Sequence, residues 1–191
     1  MGNLSKEEEK LAELVLYVSG KCLTHERFGA TKLNKILFFS DFIFCKLHGE
    51  PITGVQYFKL ENGPAPRCLI KVRESLQKDG DLVIAPRSTT GGFVQHRPIP
   101  MRAPDLTKFS ADEISIVDQV IDFLKDKSAE EVSELSHYYV VGWKLYEMKE
   151  EIPYHSVFAR AMKEAHIKDR DIQRAKEIAA KQKLPDATPG R

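Results

Sequence analysis

The sequence predicts a mainly α fold: a compact helical domain with one small β-hairpin. Three observations carry this. Apolar residues recur at helical spacing in several separate stretches. Ser5, Ser110 and Ser128 each stand just ahead of such a stretch, with acidic residues in the turn that follows, which is how a helix start reads. Two short runs, residues 81–85 and 93–96, flank a turn-rich segment that holds Pro86, Gly91 and Gly92.

In chain order, residues 1–5 read as loose. The first helix starts after Ser5, where Glu7, Glu8 and Glu9 complement the N-terminal dipole. Leu11, Leu14, Val15 and Val18 give its apolar face, and Gly20 ends it. A central helix then opens at Thr31 and runs to His48. At 100° per residue, Leu33, Ile36, Leu37, Ile43, Phe44 and Leu47 share one broad apolar face, and Phe38, Phe42 and Cys45 make a second. Asn34, Asp41 and His48 run between the two. Lys32, Lys35 and Lys46, with Phe39 among them, form a basic line on the far side. Two apolar faces predict a helix packed from both sides. Thr31 is placed to cap its start, Gly49 to end it in the left-handed conformation, and Pro51 to stop continuation.

Residues 53–60 alternate poorly and read as a short extended segment ahead of the next helix. Pro64 and Pro66 suit the first turn of that helix. Cys68, Leu69, Val72 and Leu76 supply its apolar side, and residues 78–80 close it. After the hairpin, Pro98, Pro100 and Pro104 mark an extended crossing. It separates a winged-helix-like half, residues 1–102, from a helical half, residues 103–183. In the second half, Ile114, Val117, Val120, Ile121 and Leu124 make an amphipathic helix behind Ser110. A short helix runs from Ser128 to near His137, and residues 138–148 make a third around Trp143. Residues 154–165 and 168–183 read as two more helices. The expected organisation is one domain over residues 1–183 and a flexible tail over 184–191.

The central stretch also carries a resemblance. Lys32-Leu33-x-Lys35-x-Leu37-Phe38-Phe39-Ser40-Asp41, then Gly49-x-Pro51-Ile52-Thr53-Gly54, then Gly63-Pro64, resembles the Panacea domain, the SocA-like antitoxin domain of bacterial and phage toxin–antitoxin systems. Leu135-Ser136-His137 and Trp143-Lys144 resemble the C-terminal signature of the same family. The likeness spans roughly residues 11–158. It implies an antitoxin that binds an adjacently encoded toxin stoichiometrically, masking it or marking it for a protease. The signature residues it names are Lys32, Leu33, Lys35, Leu37, Asp41, Gly49, Pro51, Gly63, Pro64, His137 and Trp143, mainly as structural positions.

Composition bounds the alternatives. A net charge of +1 argues against an obligate nucleic-acid binder. The charge is uneven, with eight basic against four acidic residues over 51–102, which suits an acidic partner or a phosphate backbone. Cys22, Cys45 and Cys68 are an odd number with no C-x-x-C pair, so a disulfide framework is not expected and a reducing cytoplasm is. The most apolar run, residues 36–45, is interrupted by Ser40 and Asp41 and is about half of the ~20 residues that span a bilayer.

Candidate chemistry is sparse. Asp41 sits between two apolar faces, so it reads as a general acid or base or as a structural acceptor. The acceptor is preferred because no second catalytic group is spaced to work with it. His137 has no H-E-x-x-H and no Cys/His cluster around it, so no metal or cofactor is expected. Trp143 reads as a core anchor beside it or as an exposed partner contact. No enzyme is expected. For toxin binding, the candidates are Lys32, Lys35, Phe39 and Lys46, an aromatic in a charged surround. The runner-up is a DNA-binding regulator of its own operon. It would use Arg67, Lys71, Arg73 and Lys78 on the third helix, and Arg87, His96 and Arg97 on a wing. A homodimer is compatible with either reading. A hydrolase built on Asp41 and His137 is a third and weaker option.

Overall fold

The structure, a computed structural model, describes residues 4–88, 92, 94–140 and 146–158. Helix α1 (Lys6–Lys21) starts as a capping box: the Ser5 hydroxyl accepts from the Glu8 amide and the Glu8 carboxylate accepts from the Ser5 amide. Helix α2 (Ala30–His48) begins one residue before Thr31, with Gly29 at the N-cap and no side-chain cap, so Thr31 lies inside the first turn. It ends as the sequence predicts: Gly49 takes φ 86° and its amide donates to the Cys45 carbonyl.

Strands β1 (Tyr57–Leu60) and β2 (Gly63–Pro66) follow, then α3 (Leu69–Lys78). Strands β3 (Leu82–Ser88) and β4 (Val94–Pro100) form the expected hairpin, each strand starting one residue later and running three or four residues further at its C-terminal end than the sequence suggests. Helices α4 (Ala111–Leu124) and α5 (Ala129–Tyr139) open with capping boxes at Ser110 and Ser128. Strand β5 (Glu151–Ile152) and a 3-10 helix (Tyr154–Phe158) close the described chain.

Two corrections follow. The fold is mixed α/β: five α-helices among the described residues, with two small antiparallel sheets where one hairpin was expected. Residues 63–66 form a strand of a β2-β1-β5 sheet rather than a helix start. Proline is tolerated there because β2 is an edge strand and needs few donors. Gly63, at φ 95°, lets the chain reverse after Glu61 and Asn62. Tyr138 and Tyr139 belong to α5, and Pro98 and Pro100 to β4. Of the helix predicted over 138–148, residues 141–145 lie outside the described residues and 146–148 form a bend and turn, not a helix. Of that predicted over 154–165, residues 154–158 form a 3-10 helix, and its remainder and the helix over 168–183 lie outside the described residues.

Helix α2 is the hub. It packs against α1, α4, α5, β2, β4 and the C-terminal 3-10 helix. Leu33, Leu37, Phe38 and Phe42 on it are fully buried with Leu11, Leu14 and Val18 of α1. Polar ties then fix the neighbours. Tyr17 donates to Asp118 at 2.7 Å and Lys10 pairs with Glu113 at 2.7 Å, joining α1 to α4. Arg102 binds Glu13 and Asp81, each at 2.8 Å, anchoring the crossing after β4 on α1. Arg97, buried on β4, donates to the carbonyls of Cys22, Leu23 and His25 and ties the hairpin to the α1–α2 loop.

Candidate functional site: two buried polar nodes on α2

Asp41 stands at the first node and is fully buried. The loop after α2 turns back over it. Oδ1 accepts from the Thr53 amide at 2.7 Å, and Oδ2 accepts from the Thr53 hydroxyl at 2.6 Å and the Tyr57 hydroxyl at 2.8 Å. Burial pushes the carboxyl above its usual range, against the pull of these donors and of Tyr154. Burial and the Asp41 charge raise the Tyr57 hydroxyl well above its ordinary value. Phe38, Phe42, Tyr57 and Tyr154 stack edge-on or tilted around the node and exclude water. The carboxylate therefore stitches α2 to the Thr53 loop and β1. Thr53 and Tyr57 are the partners that the sequence left unassigned.

Lys35 stands at the second node. Its side chain is buried, and its ammonium donates to the Pro64 carbonyl at 3.2 Å. Burial alone lowers its pKa to about 7. Gly63 presses against it: a side chain there would collide with Lys35 Nζ and Ser136 Oγ. His137, next on α5, is lowered by burial and then by the Lys35 and Lys59 charges. A pocket of about 320 Å³ opens beside this node, lined by Thr31, Asn34, Lys35, Asn62 and Gly63, among others. Lys32, also buried and with its pKa lowered by burial, donates to the Lys125 carbonyl at the C-terminal end of α4.

The expected basic line is therefore not a surface. Lys32, Lys35 and Phe39 are 2, 2 and 5% exposed. Helix α4 covers the first, β2 and α5 the second, and Phe39 packs edge-on against Tyr139. Lys46 alone is exposed, with its ammonium 6.0 Å from the Tyr139 ring centre. Of the residues considered for DNA, Arg67, Lys71, Lys78 and Arg87 are exposed and Arg73 half-buried, while Lys71 pairs with Glu8 at 2.6 Å. Arg97 is spent on backbone carbonyls. Among the described residues no group of three metal-binding side chains comes together, and no helix is long and apolar enough to cross a membrane.

Residues 33–144 match the family described as antitoxin SocA-like, Panacea domain. The chain belongs to this family. No curated protein and no solved structure matches it. Membership in an antitoxin family suggests a toxin as the kind of partner and a non-enzymatic role. In this Panacea domain several of the residues that carry the resemblance fall on the two nodes. Asp41 and Thr53 meet at one, and Lys35, Gly63, Pro64 and Ser136 at the other, with His137 following Ser136 on α5. Gly49 ends α2, and Trp143 lies outside the described residues.

Proposed function

We propose that this chain is a cytoplasmic antitoxin that neutralises an adjacently encoded toxin by direct, stoichiometric binding. The family match over residues 33–144 carries the reading. The interior supports binding over turnover, because Asp41 is enclosed by hydrogen-bond donors and has no open face to a substrate. Masking and delivery to a protease are both routes open to such a protein, as is a homodimer. The toxin-facing surface then draws on exposed groups. Lys46 is the one member of the expected set that solvent reaches, and Leu47 beside it is 63% exposed. Co-expression with the neighbouring gene tests the reading. Growth rescue together with a complex that survives gel filtration is expected; rescue at strongly substoichiometric levels, or without a complex, sinks simple masking.

A second reading, an autoregulatory DNA-binding protein, draws support from one observation. Helices α1, α2 and α3 precede an antiparallel hairpin, the element order of a winged helix, and Arg67, Lys78 and Arg87 are exposed along it. A gel shift with the promoter region at physiological salt decides this. Nanomolar binding lost with Arg67→Ala and Arg87→Ala would favour it.

A further inference from the structure

We propose that the pocket between the first turns of α2 and the β1–β2 turn binds a carboxylate, with Lys35 as its cationic ligand. The geometry is that of a half-filled site. Lys35 has three N–H donors and one hydrogen-bonded acceptor, the Pro64 carbonyl. Among the described residues no carboxylate pairs with it. Glu61, at the mouth of the pocket, stands on the exposed β1–β2 turn. The titratable group coupled to this amine is His137 on α5, on which Lys59 of β1 and, with opposite sign, Glu134 one turn earlier on α5 also act.

The rest of the lining suits an anion that accepts in a plane. Thr31 brings a hydroxyl, and Asn34 and Asn62 bring amides. The Asn34 side-chain oxygen is buried without a partner, and a half-turn of that amide presents its NH2 instead. Glu61 at the mouth discriminates against a phosphate dianion more than against a singly charged carboxylate. A bound carboxylate would restore the ammonium that burial disfavours. The site stands independently of the antitoxin reading. Where that reading holds, the occupant is an acidic side chain or the C-terminus of the bound protein.

The test is NMR on the full chain with 13C-labelled lysine, Lys35→Met serving to assign the Lys35 signal. In sodium acetate at about 100 mM, the Lys35 midpoint should rise by about one pH unit over its value in matched sodium chloride. The amides of Asn34, Asn62 and Gly63 should shift with acetate in wild type and stay still in Lys35→Met. Asn62→Ala, on an exposed turn, should keep the fold and weaken the acetate effect severalfold. Identical midpoints and amide positions in the two salts overturn the proposal, as does an equal response to inorganic phosphate. An end-blocked peptide with one Glu separates the sources. Tighter binding than acetate marks a protein side chain, and equal or weaker binding marks a small carboxylate; both retain the site. Acetate binding without growth rescue would leave the pocket standing and remove the antitoxin reading. Rescue without acetate binding would do the reverse.

Discussion

Asp41→Ala tests the first node most sharply. The substitution strands three buried donors: the Thr53 amide, the Thr53 hydroxyl and the Tyr57 hydroxyl, held at 2.6–2.8 Å in the native protein. Tyr57 is 1% exposed and Thr53 5%, so water does not replace the lost acceptor. Each stranded donor costs about 1–3 kcal/mol. Hydroxyls can turn toward other acceptors and the backbone N–H cannot, which sets the sum near 4 kcal/mol on that scale. Removing an unfavourably buried carboxylate offsets part of this, which leaves a net loss of about 3 kcal/mol. For a chain of this length that is a fall in Tm of roughly 6–12 °C. Asp41→Asn keeps the volume and one acceptor and should lose half as much or less. Because burial raises the folded-state pKa, Asp41 favours folding in acid and loses that contribution as pH rises through the folded value. Wild type should therefore gain on the Asn variant as pH falls toward about 4. Thermal melts followed by circular dichroism read all three effects. An Ala variant melting within about 2 °C of wild type, or an Asn variant as damaged as Ala, would refute the reasoning. An Asn variant that melts normally but no longer rescues growth would assign Asp41 more than a structural part.

Gly63→Ala should cost about 2–3 kcal/mol in urea unfolding, since φ is 95° and the new methyl meets Lys35 and Ser136; Gly80→Ala, at φ 77° in open space, should cost about 1 kcal/mol. Burial opposes ionisation of Glu13, but Arg102 and the Asp105 amide prevail and hold its pKa below the usual carboxylate range. Its contribution is present above that range and lost as pH falls through the folded pKa, so Glu13→Gln should cost about 2–3 kcal/mol at pH 7 and much less at about pH 3. Lys35 titrates at about 7 in the fold and at its ordinary value when unfolded. Wild type should therefore gain stability over Lys35→Met between about pH 7 and pH 10, by up to about 1.4 kcal/mol per unit; parallel pH profiles for the two proteins would contradict the burial of that amine.

What the sequence makes legible is whatever local chemistry decides. Ser110 and Ser128 announce α4 and α5 because a cap and its reciprocal Glu lie three residues apart. Gly49 likewise announces the end of α2. The double apolar face of α2 correctly predicts a central helix. A helical wheel cannot reveal that its third face is also covered, because α4 and the β1–β2 sheet come from residues far along the chain. Lys32 and Lys35 therefore read as solvated and are in fact enclosed, each with its charge turned to a carbonyl. Strand β2 was hidden for a different reason: Gly-Pro-Ala-Pro has no alternation, and its pairing is imposed by β1. Asp41 was recognisable as a structural acceptor, yet its donors come from a loop and a strand that its own helix cannot foretell.

Strand β5 has a consequence for where this chain can be cut. The family match stops at residue 144, but the outer strand of the first sheet comes later, at Glu151–Ile152. Lys59 spends its backbone amide on the Glu150 carbonyl and its own carbonyl on the Lys149 amide, and Tyr154 closes over the Val55 carbonyl. A fragment ending with the recognised motif would strip β1 of that strand and uncover the apolar surface under Ile152. A bare, half-apolar strand edge is a template for pairing with another copy. Two residues with little recognisable sequence thus cover an edge that truncation would open to such pairing.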